Sequence, residues 1–199
     1  MKRLINALVF ITLVLSNTNS FSYNPDPKTF INELLNDAID TLKDKNISKI
    51  DKHKKIKDIA LQNIDIDALG MYTLGQARKN LDQDMTKKYK NLFENYFLKN
   101  LTSRLTDYSS QKFEVLEAEQ KSESYTMVSS KIINKSSGTE FKIVWRVYTK
   151  DPGKPLIRDL IVEGLSLAKT QKEEFSSILN SNNNDVNVLF EKLEEFIKN

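Results

Sequence analysis

Glu140-Phe141-Lys142-Ile143-Val144-Trp145-Arg146-Val147-Tyr148-Thr149 is the stretch that decides the fold class. Phe141, Ile143, Trp145 and Val147 take every second position, and Lys142, Val144, Arg146 and Tyr148 take the alternate ones. A period of two belongs to a strand with one apolar face, because successive side chains leave the pleat on opposite sides. The same alternation predicts strands over Phe113–Ala118, Tyr125–Ile133 and Leu156–Val162. The breaks at Lys121-Ser122, Ser136-Ser137-Gly138 and Asp151-Pro152-Gly153 are short, and short connections join antiparallel neighbours. Four antiparallel strands are therefore expected.

On both sides of this block the apolar period becomes helical. Upstream, Asp26 is placed to cap a helix with Pro27 at its first position and Phe30, Leu34, Leu35, Ile39 and Leu42 inward, to about Lys45. Ser48 caps a second helix with Ile50, Ile56, Ile59 and Ala60 on its stripe and a basic outer face from Lys52 to Lys57. Asp65 or Asp67 starts a short third helix, in which Gly70 and Gly75 bracket Met71 to Leu74. A helical glycine costs about 1 kcal/mol against alanine, so the pair points to close backbone packing or a kink. Asp84 is expected to cap the longest helix, running to about Asp107 with a wide stripe of Tyr89, Leu92, Phe93, Tyr96, Phe97, Leu101 and Leu105. Downstream, a helix from Thr170 carries Phe175, Ile178 and Leu179. Asn182-Asn183-Asn184 ends it, and Asp185 caps a last helix with Val188, Leu189, Leu193, Phe196 and Ile197 inward. Helices, then an antiparallel sheet, then helices make an α+β chain.

The 199 residues suit one domain with a substantial core. Without cysteine there is no disulfide, thiolate nucleophile or cysteine-ligated metal, and a single histidine excludes a multi-histidine site. Thirty basic against 27 acidic side chains leave little surplus for gripping nucleic acid. Lys2-Arg3, the apolar run Leu4 to Leu15 and the small polar segment Ser16 to Ser22 match the three regions of a secretory signal. The apolar run is well short of the roughly 20 residues that span a bilayer. Ser20 and Ser22 supply the small residues before the cut, so residues 1–22 are expected to be a cleaved signal peptide and 23–199 a single exported domain.

Several groups invite chemical readings, and plainer ones are available for each. His53 lies among lysines on a charged helix face with nothing to pair it with a nucleophile. Asp65/Asp67 and Asp82/Asp84 have the form of helix caps before that of a cation site. Asp159 and Glu163, four apart in a strand, share a face and could supply a base for an enzyme with a sheet-lined pocket. The plainer reading is an edge pair or a turn-stabilising pair. P-loop, dinucleotide and nucleophile-elbow motifs are absent from the sequence.

Arg158-Asp159-Leu160-Ile161-Val162-Glu163-Gly164-Leu165-Ser166-Leu167, with Lys172 and Phe175 after it, resembles the C-terminal signature of the MlaC family, periplasmic phospholipid-binding proteins. The resemblance extends to Gly70–Gln76, to the aromatic spacing of Tyr89, Phe93 and Tyr96, and to Trp145-Arg146. Ala77-Arg78 and Pro155 stand where the family more often has aromatic residues. The resemblance implies an NTF2-like α+β domain with an apolar cavity between sheet and helices. It also implies a carrier that shuttles phospholipid between an outer-membrane lipoprotein–porin complex and an inner-membrane ABC transporter complex with an MCE-domain subunit, preserving outer-membrane lipid asymmetry. No catalytic residue, metal or cofactor beyond the phospholipid cargo is expected, and no nucleic-acid partner; the chain is expected to be a monomer. The expected lipid wall is Leu74, Phe93, Tyr96, Phe97, Trp145, Val147, Leu160, Val162, Leu165 and Leu167. The competing expectation is an NTF2-like enzyme acting on a small apolar substrate through Asp159 or Glu163.

Overall fold

The structure, a computed structural model, describes residues 23–103, 111–134 and 137–199. The expected signal peptide, the end of the long helix past residue 103 and Ser136 of the second break lie outside the described residues.

The N-terminal helices start where side-chain oxygens meet free backbone N–H groups. Asp26 Oδ1 accepts from the Thr29 amide at 2.9 Å and its hydroxyl at 2.7 Å, opening α1 (Pro27–Lys43). Ser48 Oγ accepts from the Asp51 amide at 3.1 Å to open α2 (Lys49–Asn63), and Asp65 caps α3 (Ile66–Thr73) through the Ala68 amide. A short 3₁₀ helix, Gly75–Asn80, leads to α4 (Gln83–Ser103). The cap of α4 is Asp82, accepting from Met85 at 2.8 Å, and not Asp84. A cap must precede the first helical residue to reach the N3 amide, and Asp84 already lies inside the first turn.

The sheet has five strands, one more than expected: β1 (Lys112–Ser122), β2 (Tyr125–Ile133), β3 (Glu140–Tyr148), β4 (Leu156–Val162) and β5 (Leu165–Ser166). They form an antiparallel meander in chain order. The extra strand exists because Glu163 (φ +49) and Gly164 (φ +83) turn the chain in two residues. A two-residue hairpin with positive φ at both positions is a type I′ turn, whose twist matches that of the strands. Ser166 then caps α5 (Leu167–Asn180) through the Lys169 amide at 3.0 Å, three residues before the expected start at Thr170. Asp185 caps α6 (Val186–Lys198) as expected, after Asn183 and Asn184 break the helix at positive φ.

Two apolar clusters result. In the first, Phe30, Ile31, Leu34 and Leu35 of α1 and Ile56 and Ile59 of α2 cover Val128, Ile132, Ile143, Trp145, Val147 and Ile157 of the sheet. The second is helical and rich in aromatics: Tyr89, Phe93 and Leu98 of α4 meet Phe175 and Leu179 of α5 and Leu189, Phe190 and Leu193 of α6. The long aromatic helix thus lies against α3 and α6, and α1 takes the place over the sheet that the aromatic stripe was expected to fill. Ile64 and Leu101 touch both clusters.

Candidate functional site

The signature around β5 is a joint. Asp159, only 3% exposed, accepts from the Ala168 amide at 3.0 Å and from the Ser166 hydroxyl at 2.7 Å. Ser166 in turn accepts from Lys169, so one carboxylate and one hydroxyl satisfy the first free amides of α5 and tie that helix to β4. Arg146 Nη1, 3.4 Å from Asp159 Oδ2, helps to balance the buried charge. Glu163 folds back from the turn to accept from the Lys142 amide, while its own N–H donates to the Lys142 carbonyl at 3.0 Å. Both carboxylates are therefore occupied: Glu163 holds backbone at the turn, outside β4, and Asp159 holds the start of α5, so they do not form a pair on one strand face.

A second joint binds the helices to the start of β4. The Asp65 amide donates to the Ile157 carbonyl at 2.9 Å. The Asp65 carboxylate accepts from Arg158 Nε at 2.8 Å and Nη2 at 2.7 Å. The Arg158 guanidinium also lies 3.4 Å over the Tyr148 ring and donates to the Tyr125 hydroxyl at 3.1 Å. Asp65 is a cap and an ion-pair partner at once; Asp67 pairs with Lys90 at 2.7 Å. Among the described residues no group of carboxylates and histidine could hold a metal ion.

The ten residues expected to line a wall divide three ways. Leu74, Phe93, Tyr96 and Phe97 belong to the helical cluster. Phe93 is locked there: a Cβ on Gly70 would stand 2.7 Å from its ring, and the Phe175 ring meets it edge-on at 6.3 Å. Tyr96 packs on Phe196, ring centres 4.9 Å apart, and donates to Gln171 at 2.8 Å. Burial pushes the neighbouring Tyr89 phenol well above its usual range, so it stays protonated and hydrogen-bonds to the Gly70 carbonyl.

Trp145, Val147, Leu160 and Val162 belong to the sheet cluster. Trp145 and Val147 are buried, and the Trp145 indole N–H donates to the fully buried Ser130 hydroxyl at 2.8 Å. Leu160 and Val162 are only half-buried, because α1 packs on β1 and β2 and stops short of the same face of β4. Leu165 pairs with Val162 and so shares its face, yet is 69% exposed; Leu167 is 51% exposed. Neither side chain is enclosed: β5 is a two-residue edge strand, and Leu167 stands at the exposed start of α5.

The less covered part of the sheet face also includes Phe113 and Val115, half-buried against the first cluster, and Phe141, 42% exposed. Phe113 and Val115 show the two-residue period in the sequence and could have been chosen on it. What the sequence concealed is which helix covers which strand. A cleft of about 290 Å³ on α6, lined by Glu191, Glu194, Glu195, Lys198 and Asn199, is charged and unsuited to an acyl chain.

The structure resembles that of a phospholipid-binding protein from Ralstonia solanacearum solved in complex with a phospholipid. The TM-score is 0.70 at 18% identity, over 84% of this chain and 94% of the other. Comparison with curated protein sequences finds no match. The family described as MlaC protein matches residues 32–195, which takes in every strand of the sheet and both apolar clusters except the outermost turns. The chain belongs to the MlaC family.

Proposed function

We propose that this protein is a soluble periplasmic phospholipid carrier with an NTF2-like fold, exported by cleavage after Ser22. It takes lipid from one membrane complex to another: an outer-membrane lipoprotein–porin assembly and an inner-membrane ABC transporter complex carrying an MCE-domain subunit. The observation that carries the reading is the family match over residues 32–195. The likeness in fold to a phospholipid-binding protein supports it.

Exposing two acyl chains of roughly 30 methylenes to water costs on the order of 20 kcal/mol, at about 0.8 kcal/mol for each methylene. Free lipid therefore does not cross an aqueous gap at a useful rate. A protein that keeps the tails dry near their bilayer free energy removes most of that barrier, and handover then depends on modest differences in affinity. In this proposal the tails lie along the incompletely covered sheet face, against Leu160 and Val162 with Phe113 and Val115. Trp145 and Val147 form the floor, Leu165 and Leu167 the rim. Leu74, Phe93, Tyr96 and Phe97 back the site from the helical side. No bond is made or broken. The occupation of both Asp159 oxygens by donors weighs against the enzyme reading.

Native mass spectrometry of the mature chain, purified without detergent, tests the proposal. Adducts of phospholipid mass are expected, and they disappear in Leu160→Asp/Val162→Asp. A bare wild-type mass, in a preparation whose sheet and helix content is intact by circular dichroism, contradicts it.

A further inference from the structure

The α1–α2 corner concentrates charge in an otherwise balanced chain. Residues 43–57 hold seven lysines (43, 45, 49, 52, 54, 55 and 57) and two aspartates, leaving 23 basic and 25 acidic side chains elsewhere. Among the described residues neither aspartate is in an ion pair with a lysine. Asp44 accepts from the Asn46 amide at 2.8 Å, and Asp51 accepts from the Ser48 hydroxyl at 2.7 Å. Lys52 is used internally, donating to the Leu42 carbonyl at 2.6 Å. The other six lysines are exposed, and among the described residues none of them is in an ion pair.

The same corner exposes apolar side chains. Ile50 is 80% exposed and Leu61 45%. Ile50, Lys54, Lys57 and Leu61 are spaced four, three and four apart, so they form one line along the outer side of α2, opposite the buried Ile56, Ile59 and Ala60. The line is straight and about 16 Å long. Lysines between apolar residues on a helix face are the arrangement of an interfacial segment: the apolar tips enter the head-group boundary while the ammonium groups reach lipid phosphates.

We propose that the outer face of α2 is a docking surface for an anionic lipid bilayer. Choosing a membrane over an acidic protein rests on the carrier reading, since both complexes between which such a carrier moves are embedded in bilayers whose surface surrounds them. The geometry favours it as well, because a straight ridge with charge spread to either side presents no concave surface to a protein partner. The surface brings the carrier to the bilayer by charge, with Ile50 as a shallow anchor.

The test is flotation of the whole mature chain with vesicles of phosphatidylcholine, or of phosphatidylcholine mixed equally with phosphatidylglycerol. Binding is expected only to the anionic vesicles, and is lost at about 0.5 M salt, where screening is short-ranged. Lys49→Glu/Lys54→Glu/Lys57→Glu is expected to weaken it about 100-fold, from the usual contribution of a lysine near an anionic surface. These side chains are exposed, and an unchanged melting temperature is expected of the triple variant. Ile50→Ser gives a smaller loss of about 5-fold, from one shallowly buried side chain. Equal binding to both vesicle types, binding to neither, or a triple variant that floats like wild type overturns the proposal. So does binding to polyglutamate-coated beads without binding to anionic vesicles, which would assign the face to an acidic protein. Co-purified phospholipid is measured on the same samples. Cargo present with no flotation discards this surface alone, whereas an empty protein that still floats supports the surface and discards the carrier reading.

Discussion

The sheet cluster and the helical cluster hold similar numbers of apolar side chains and treat them differently. In the helical cluster, Phe93 presses on Gly70 closely enough to exclude a methyl group, and its ring meets those of Tyr89, Tyr96, Phe97 and Phe175 at centre distances of 5.8 to 6.3 Å. Lys88–Glu194 and Lys90–Asp67 clip α4 to α6 and α3 around it. That is the packing of a solid interior. In the sheet cluster α1 packs on β1 and β2 yet leaves Phe113 and Val115 half-buried, and the same face is barer through Leu160 and Val162 to Leu165. The wider aromatic stripe thus packs ring on ring, whereas one face of the sheet outruns the helix that covers it.

The contrast breaks most visibly at Phe93. Phe93→Ala removes a ring from a close-packed site and is expected to cost about 3–5 kcal/mol in urea unfolding. The fraction that remains folded is expected to keep its lipid. A stable Phe93→Ala protein that arrives empty would transfer the ligand site to the helices.

Next in size is the joint between the two regions. Asp159→Ala strips the buried acceptor from Ser166 and Ala168 and is expected to cost about 2–4 kcal/mol. Hydrogen exchange is expected to speed up first at the α5 amides of residues 168–170. Uniform acceleration throughout the sheet instead would mean that Asp159 holds β4 and not the helix.

Leu160→Asp/Val162→Asp sharpens the contrast from the other side. Each side chain is only half-buried, so about 1 kcal/mol of stability per site is at stake while lipid retention is lost. Trp145→Asp suggests itself from the sequence for the same purpose, but it would place a charge beside Ser130 in the sealed floor and is expected to unfold the chain.

The smallest effect lies at the start of α1. Hydrogen bonds from the Thr29 amide and hydroxyl hold the Asp26 carboxyl below the usual aspartate range. A carboxyl lowered in the folded state contributes stability that is full above its unfolded pKa, near 4, and is lost as the pH falls through the folded value. Asp26→Asn, still a good cap, is expected to leave the neutral-pH melting temperature within about 1 °C and to flatten the acid limb of the curve below about pH 4. Parallel acid limbs in the two proteins would mean that the cap does not outlast the unfolded carboxyl.

Much of this architecture was legible in the sequence. Strand alternation placed the four long strands, and Asp26, Ser48, Asp65 and Asp185 announced their helices because capping is local chemistry. The fifth strand was missed because Glu163 adopts a left-handed conformation that L-residues seldom take, and nothing in its side chain signals it. The site was less legible. Periodicity shows that Phe93 and Trp145 face inward, but not that they face different interiors. Whether Leu165 is covered depends on where α1 ends in space, a tertiary fact.

The central claim is that lipid tails lie on the sheet side and the helical aromatics are filled core. Photocrosslinking with a phospholipid carrying a diazirine in its acyl chain, followed by peptide mapping, tests it directly. Label is expected on peptides containing Phe113, Val115, Leu160 and Val162, and little on those containing Phe93, Phe175 or Phe190. Label concentrated on the latter three would contradict it.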